Sequence, residues 1–117
     1  MSPGIKYKHY APTTKSILVY CKENDKMVEK IKELSQDKNV VILCKTKNFN
    51  KYNTQNKLDM GDTLEEISHN MFALLRKADT YNSELILIEG VEKEGLGLAI
   101  MNRLIRACAH EFIELGE

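Results

Sequence analysis

Three unbroken apolar runs constrain this chain more than any other feature. They are Ser16-Ile17-Leu18-Val19-Tyr20, Asn39-Val40-Val41-Ile42-Leu43-Cys44 and Leu85-Ile86-Leu87-Ile88. Short apolar runs without polar alternation suit strands covered on both faces. Between the runs the period changes. Met27, Val28, Ile31 and Leu34 recur at helical spacing after Asn24-Asp25, a capping signal. Residues 62–80 carry the longest stripe: Leu64, Ile67, Met71, Leu74, Leu75 and Ala78. Asp62-Thr63 introduces it, with Glu65 or Glu66 placed to close a capping box. Ile100, Met101, Leu104, Ile105 and Cys108 mark a third helix over 98–109. Glu111 to Leu115 alternates, which predicts a last strand at an edge. Strands alternating with helices predict the α/β class, a three-layer sandwich with a mostly parallel sheet of about four to five strands.

The stretch 45–61 has no sustained period and is rich in Lys and Asn. It reads as a loop with a short strand near Leu58. A structureless loop of that length is uncommon inside a compact domain, so the segment is a candidate contact surface.

Composition excludes several classes. The 117 residues include 17 basic and 17 acidic side chains, for a formal net charge of zero. Wholesale electrostatic capture of nucleic acid or an anionic membrane needs an excess of one sign. Lys45, Lys47, Lys51 and Lys57 suggest a nucleic-acid-contacting patch, but the neutral balance disfavours it and solvated lysines are commoner in a loop. No apolar run is long enough to span a bilayer. Cys21, Cys44 and Cys108 are far apart and odd in number, which argues against a zinc site or a disulfide framework. They read as buried free thiols of a cytoplasmic protein.

No catalytic constellation assembles. His69 lies off the apolar stripe of its helix, and His110 ends the last helix. Neither has a partner at a metal-binding interval, so the expectation is no metal site, with surface and capping roles for the histidines. Glu89 to Gly97 is a glycine-bearing turn between a strand and a helix, where α/β proteins place phosphate loops. Gly90, Gly95 and Gly97 make it a candidate anion or ligand turn. The Lys and Ser or Thr of a phosphate loop do not follow, however, and Glu89, Glu92 and Glu94 would repel an anion. Glycines that permit a tight turn and a close helix start explain the pattern as well.

The opening stretch fits no core element. It reads Ser2-Pro3-Gly4-Ile5-Lys6-Tyr7-Lys8-His9-Tyr10-Ala11-Pro12. In an extended chain Lys6 and Lys8 would face away from Tyr7 and His9, with Tyr10 on the lysine side, so it can offer cations to a phosphate and rings to a base. These residues resemble the interdomain linker of the threonylcarbamoyl-AMP synthases, with Ile5 where Met is usual. Gly61 to Asp79 resembles that family's long helix. Glu89-Gly90 followed by Gly95 to Leu104 resembles its last helix and the preceding turn.

The resemblance implies a linker over 1–15 and a Rossmann-like C-terminal domain over 16–117. It implies a partner, an N-terminal YrdC-like domain that condenses ATP, L-threonine and bicarbonate into threonylcarbamoyl-AMP for tRNA modification. ATP and magnesium would be needed by the full-length enzyme, with no cofactor bound by this part alone. ATP and L-threonine would be met through the partner domain, and a homodimer is compatible. Pro3, Gly4, Lys6, Tyr7, His9 and Tyr10 match the family's linker motif, which implies that they form a lid over nucleotide or threonine. This part would be lid-bearing or regulatory and inactive alone. A free-standing nucleotide-binding regulatory module and a tRNA or protein interaction domain are the alternatives.

Overall fold

The computed structural model describes residues 11–53 and 56–116. Its elements run β1 (Ser16–Cys21), α1 (Asn24–Ser35), β2 (Val40–Lys45), a 3-10 segment (Thr46–Lys51), β3 (Lys57–Gly61), α2 (Leu64–Asp79), β4 (Leu85–Glu89), α3 (Leu96–Ala107) and β5 (Phe112–Leu115). The expected α/β class holds. The strands form one five-stranded sheet in the order β3-β2-β4-β1-β5. Every pairing is parallel, with Val19 opposite Glu89, Leu43 opposite Ile88 and Leu18 opposite Phe112. The alternating run at the end of the chain is an edge strand, as its pattern predicts.

Side chains alternate across the sheet, so each apolar run supplies two cores. Ile17, Val19, Val40, Ile42, Leu85 and Leu87 face one side, where Met27, Val28 and Ile31 of α1 cover them. Leu18, Val41, Leu43, Ile86 and Ile88 face the other, under Ile67, Met71 and Leu75 of α2 and Met101 and Leu104 of α3. This is why these strands read as continuous apolar runs. All three cysteines are buried free thiols. Burial is the main cause that pushes Cys44 and Cys108 up to about 12, so neither is a thiolate at neutral pH.

Handedness follows from the strand order. Right-handed crossovers put connections that move one way along the sheet on one face and those that move back on the other. The segments after β1 and β2 therefore share a face, and α2 and α3 share the opposite one. The chain leaves β4 toward the α3 face, while both its neighbours leave toward the α1 face. That reversal opens a crevice at the carboxyl edge of the sheet.

Two element ends differ from the spacing. Asn24 does not cap α1: Glu23 is the N-cap, without a side-chain capping bond, and the Asn24 amide pairs instead with Asn48. The last helix ends at Ala107 rather than Ala109. Ala109 and His110 turn to positive φ, and their N–H groups donate to the carbonyls of Arg106 and Ile105. That closure satisfies the final carbonyls, and it carries His110 past the helix end. By contrast, Thr63 and Glu66 form the full capping box that the sequence predicts for α2.

Candidate functional site

The crevice at the carboxyl edge has a volume of about 320 Å³. The ends of β1 and β2 bring Lys22, Lys45 and Lys47 to it, and the first residue of α1 brings Asn24. Met27 reaches it from the α1 face and Leu64, Ile67 and Val91 from the opposite face, and Tyr20, Cys21, Asp62 and Glu92 complete the lining. Lys45 extends its ammonium over the strand end and donates to the carbonyl of Gly90 at 3.1 Å. Burial lowers its pKa, the charge of Glu89 works against that, and nearby Lys47 lowers it further. Tyr20 is shifted upward, first by burial and then by Glu92.

One wall of the crevice is fixed by an unusual group. Glu89 ends an apolar strand, stands on the same face as Leu85 and Leu87, and is 0% exposed. A buried carboxylate is costly unless donors surround it. Glu89 has them. The backbone N–H of Lys45 donates at 2.8 Å, the Asn48 amide at 2.9 and 3.0 Å, and the Tyr52 hydroxyl at 2.6 Å. Burial and the neighbouring Glu89 hold the Tyr52 phenol above its ordinary range. All three donors belong to β2 and the segment after it. Lys57 adds bonds from its ammonium to the carbonyls of Phe49 and Tyr52, both at 2.9 Å, and lies 4.3 Å over the Phe49 ring. The stretch read as a loop is therefore a pinned crossover. Of its lysines, Lys45 and Lys57 turn inward, Lys51 pairs with Asp25 at 3.6 Å, and Lys47 is exposed.

The glycine turn lies beside the crevice. Gly90 is buried and its N–H donates to Val19 at 2.8 Å. Gly95 has φ 54 and ψ −127, a conformation that L side chains rarely adopt. A Cβ at Gly97 would overlap the carbonyl oxygen of Glu92. The N–H groups of Gly97 and Leu98 are used within the turn, on Glu94 and Gly95. Close approach and backbone conformation account for these glycines. Among the described residues no group of three or more His, Cys, Asp or Glu could hold a metal, and no helix is long and apolar enough to cross a membrane. His69 and His110 are both exposed.

A second polar cluster sits at the opposite, amino edge. Asp79, the last residue of α2, receives the backbone N–H groups of Thr13 and Thr14 at 3.0 and 2.9 Å. Both threonine hydroxyls also donate to it, Thr13 at 3.0 Å and Thr14 at 2.7 Å. Burial alone would raise its pKa, but these bonds outweigh it and bring Asp79 down to about 2. The clasp ties the chain just before β1 to a helix end that lies 65 residues further on. The candidate lid residues Pro3, Gly4, Lys6, Tyr7, His9 and Tyr10 lie outside the described residues.

Sequence reasoning found neither polar cluster. The available signals were a glutamate closing an apolar strand and an aspartate on the last turn of a helix, where the dipole disfavours an anion.

Residues 1–109 match the family model described as the C-terminal domain of threonylcarbamoyl-AMP synthase. The chain belongs to that family. The threonylcarbamoyl-AMP synthase of Pyrococcus abyssi is 40% identical over 119 residues, covering 97% of this chain and 34% of its own length. The crystal structure of P. abyssi Sua5 complexed with L-threonine superposes with a TM-score of 0.78 at 37% identity, over 92% of this chain and 32% of that one. The C-terminal Sua5 domain from Pyrococcus horikoshii superposes with a TM-score of 0.66 at 31% identity, over 90% of this chain and 100% of that one. The chain thus spans about a third of the length of the full synthases it matches. What it shares with them is their C-terminal domain.

Proposed function

We propose that this chain is the lid-bearing part of a threonylcarbamoyl-AMP synthase and makes no product alone. Condensation of ATP, L-threonine and bicarbonate, with release of pyrophosphate, belongs on this reading to an N-terminal YrdC-like domain and its magnesium. The segment from Pro3 to Tyr10 closes over that domain's cleft. A closing segment excludes water from a labile mixed anhydride, and its lysines complement phosphate charge. The observation that carries the reading is the Asp79 clasp. It holds the chain immediately after the opening stretch against the body of the domain. The domain is then the mount from which the lid reaches out.

The test is pyrophosphate release from ATP, threonine and bicarbonate by the longer protein. Three forms are compared: intact, ending just before Ser2, and carrying His9→Ala with Tyr10→Ala. Both altered forms should lose at least about tenfold in rate, because the lid orders substrates and shuts out water. The 117-residue chain should release none. Full activity in the shortened form overturns the lid reading.

A further inference from the structure

We propose that the crevice at the carboxyl edge of the sheet binds a small phosphate ester of mononucleotide size, its phosphate held between Lys45 and Lys47. This proposal does not rest on the lid reading.

Four observations converge. The first is topological. In open α/β sheets the crevice where the strand order reverses, at the carboxyl ends, is where ligands bind. Here that reversal falls at β4, and the crevice lies over it.

The second is charge. Lys45 and Lys47 line the same crevice and are close enough to depress the Lys45 pKa. Glu89 offsets Lys45 more than Lys47 opposes it, so the exposed ammonium of Lys47 is the charge chiefly offered to a phosphate. The start of α1 points the same way. It is a 12-residue helix whose N-cap Glu23 makes no side-chain capping bond and pairs with Lys26 instead, and its first residue lines the crevice. The field of a helix start favours an anion and adds to the lysines.

The third is preorganisation. A fully buried carboxylate holds the backbone of Lys45 and the segment that carries Lys47. That fixes the backbone from which both lysines project before any ligand arrives, which lowers the cost of binding.

The fourth is the remainder of the lining. Leu64, the partly exposed apolar residue of the lining, offers a contact for a ring, with Met27, Ile67 and Val91 buried behind the opening. Asp62 and Glu92 are exposed carboxylates at the same opening and can accept from sugar hydroxyls. A volume near 320 Å³ is at the small end of ligand sites, too small for a dinucleotide.

The test titrates the isotopically labelled chain with AMP and, separately, with inorganic phosphate, and follows backbone amide shifts. AMP should give saturable shifts centred on Lys22 to Asn24 and Lys45 to Lys47, with phosphate alone weaker at the same amides. Lys47→Ala should weaken AMP binding about tenfold, as loss of one charge-assisted bond does. Lys77→Ala, on the last turn of α2 at the other edge, should leave it unchanged. The amide spectrum of each variant shows whether it is folded. No saturable shift up to about 10 mM AMP, a loss no stronger than threefold in Lys47→Ala, or shifts centred on Gly95 to Leu98 would each overturn the proposal.

Discussion

Asp79 breaks a local rule and is kept by a distant contact. A carboxylate on the last turn of a helix opposes the dipole, so its value lies in the four donor groups of Thr13 and Thr14. Its folded pKa lies below the ordinary aspartate value, so the clasp contributes stability above about pH 4. That contribution is lost as pH falls through about 2. Asp79→Ala should cost about 1–3 kcal/mol near neutral pH, because charge-assisted bonds disappear and their donors lose a partner. Urea unfolding of both proteins at a series of pH values checks this. The gap between them should narrow from pH 5 downward. A gap independent of pH would mean that packing, not the charged clasp, carries the effect. Nothing near Thr13 in sequence announces this bond, since its partner is 66 residues away.

At the level of elements, the periodic ones were legible and the irregular one was not. Leu64, Ile67, Met71 and Leu75 mark α2 because a buried face must recur at the helical period. Thr63 and Glu66 mark its start because the capping box is local. The crossover from β2 to β3 obeys no such rule. Its conformation is set by Glu89, far along the chain, through Asn48 and Tyr52. β3 was hard to see beyond Leu58 because Lys57 and Asp59 give it the polarity of an edge. Glu89→Gln should therefore destabilise the chain by about 2–3 kcal/mol, since an amide turns a donor toward donors in a buried site. The amides of Asn48 to Tyr52 should lose exchange protection more than those of α2. Equal loss in both would show that Glu89 supports the fold in general and not the crossover.

For the whole molecule, the α/β class was readable from alternation alone, whereas strand order was not. Order depends on which face each crossover takes, and a chain of buried strands looks alike in any order. The crevice was hidden for the same reason, because Lys22, Asn24, Lys45, Asp62 and Glu92 meet only once the order is set. The order itself makes a prediction. β4 is buried along its full length and paired on both sides, while β5 pairs on one side and is partly exposed. Amides of Ile86 to Ile88 should exchange only through global unfolding, and those of β5 through smaller openings. Equal exchange in β4 and β5 would contradict the arrangement.

The Asp79 clasp also bears on how such a domain can be reused. The position of the chain at Thr13 and Thr14 is set by contacts wholly inside the domain, with the end of α2. A neighbour fused upstream need not supply any part of that junction. Transplanted behind a different protein, the domain would carry this anchor point with it. Lineages could exchange or shorten what precedes Ala11 without rebuilding the body that anchors it.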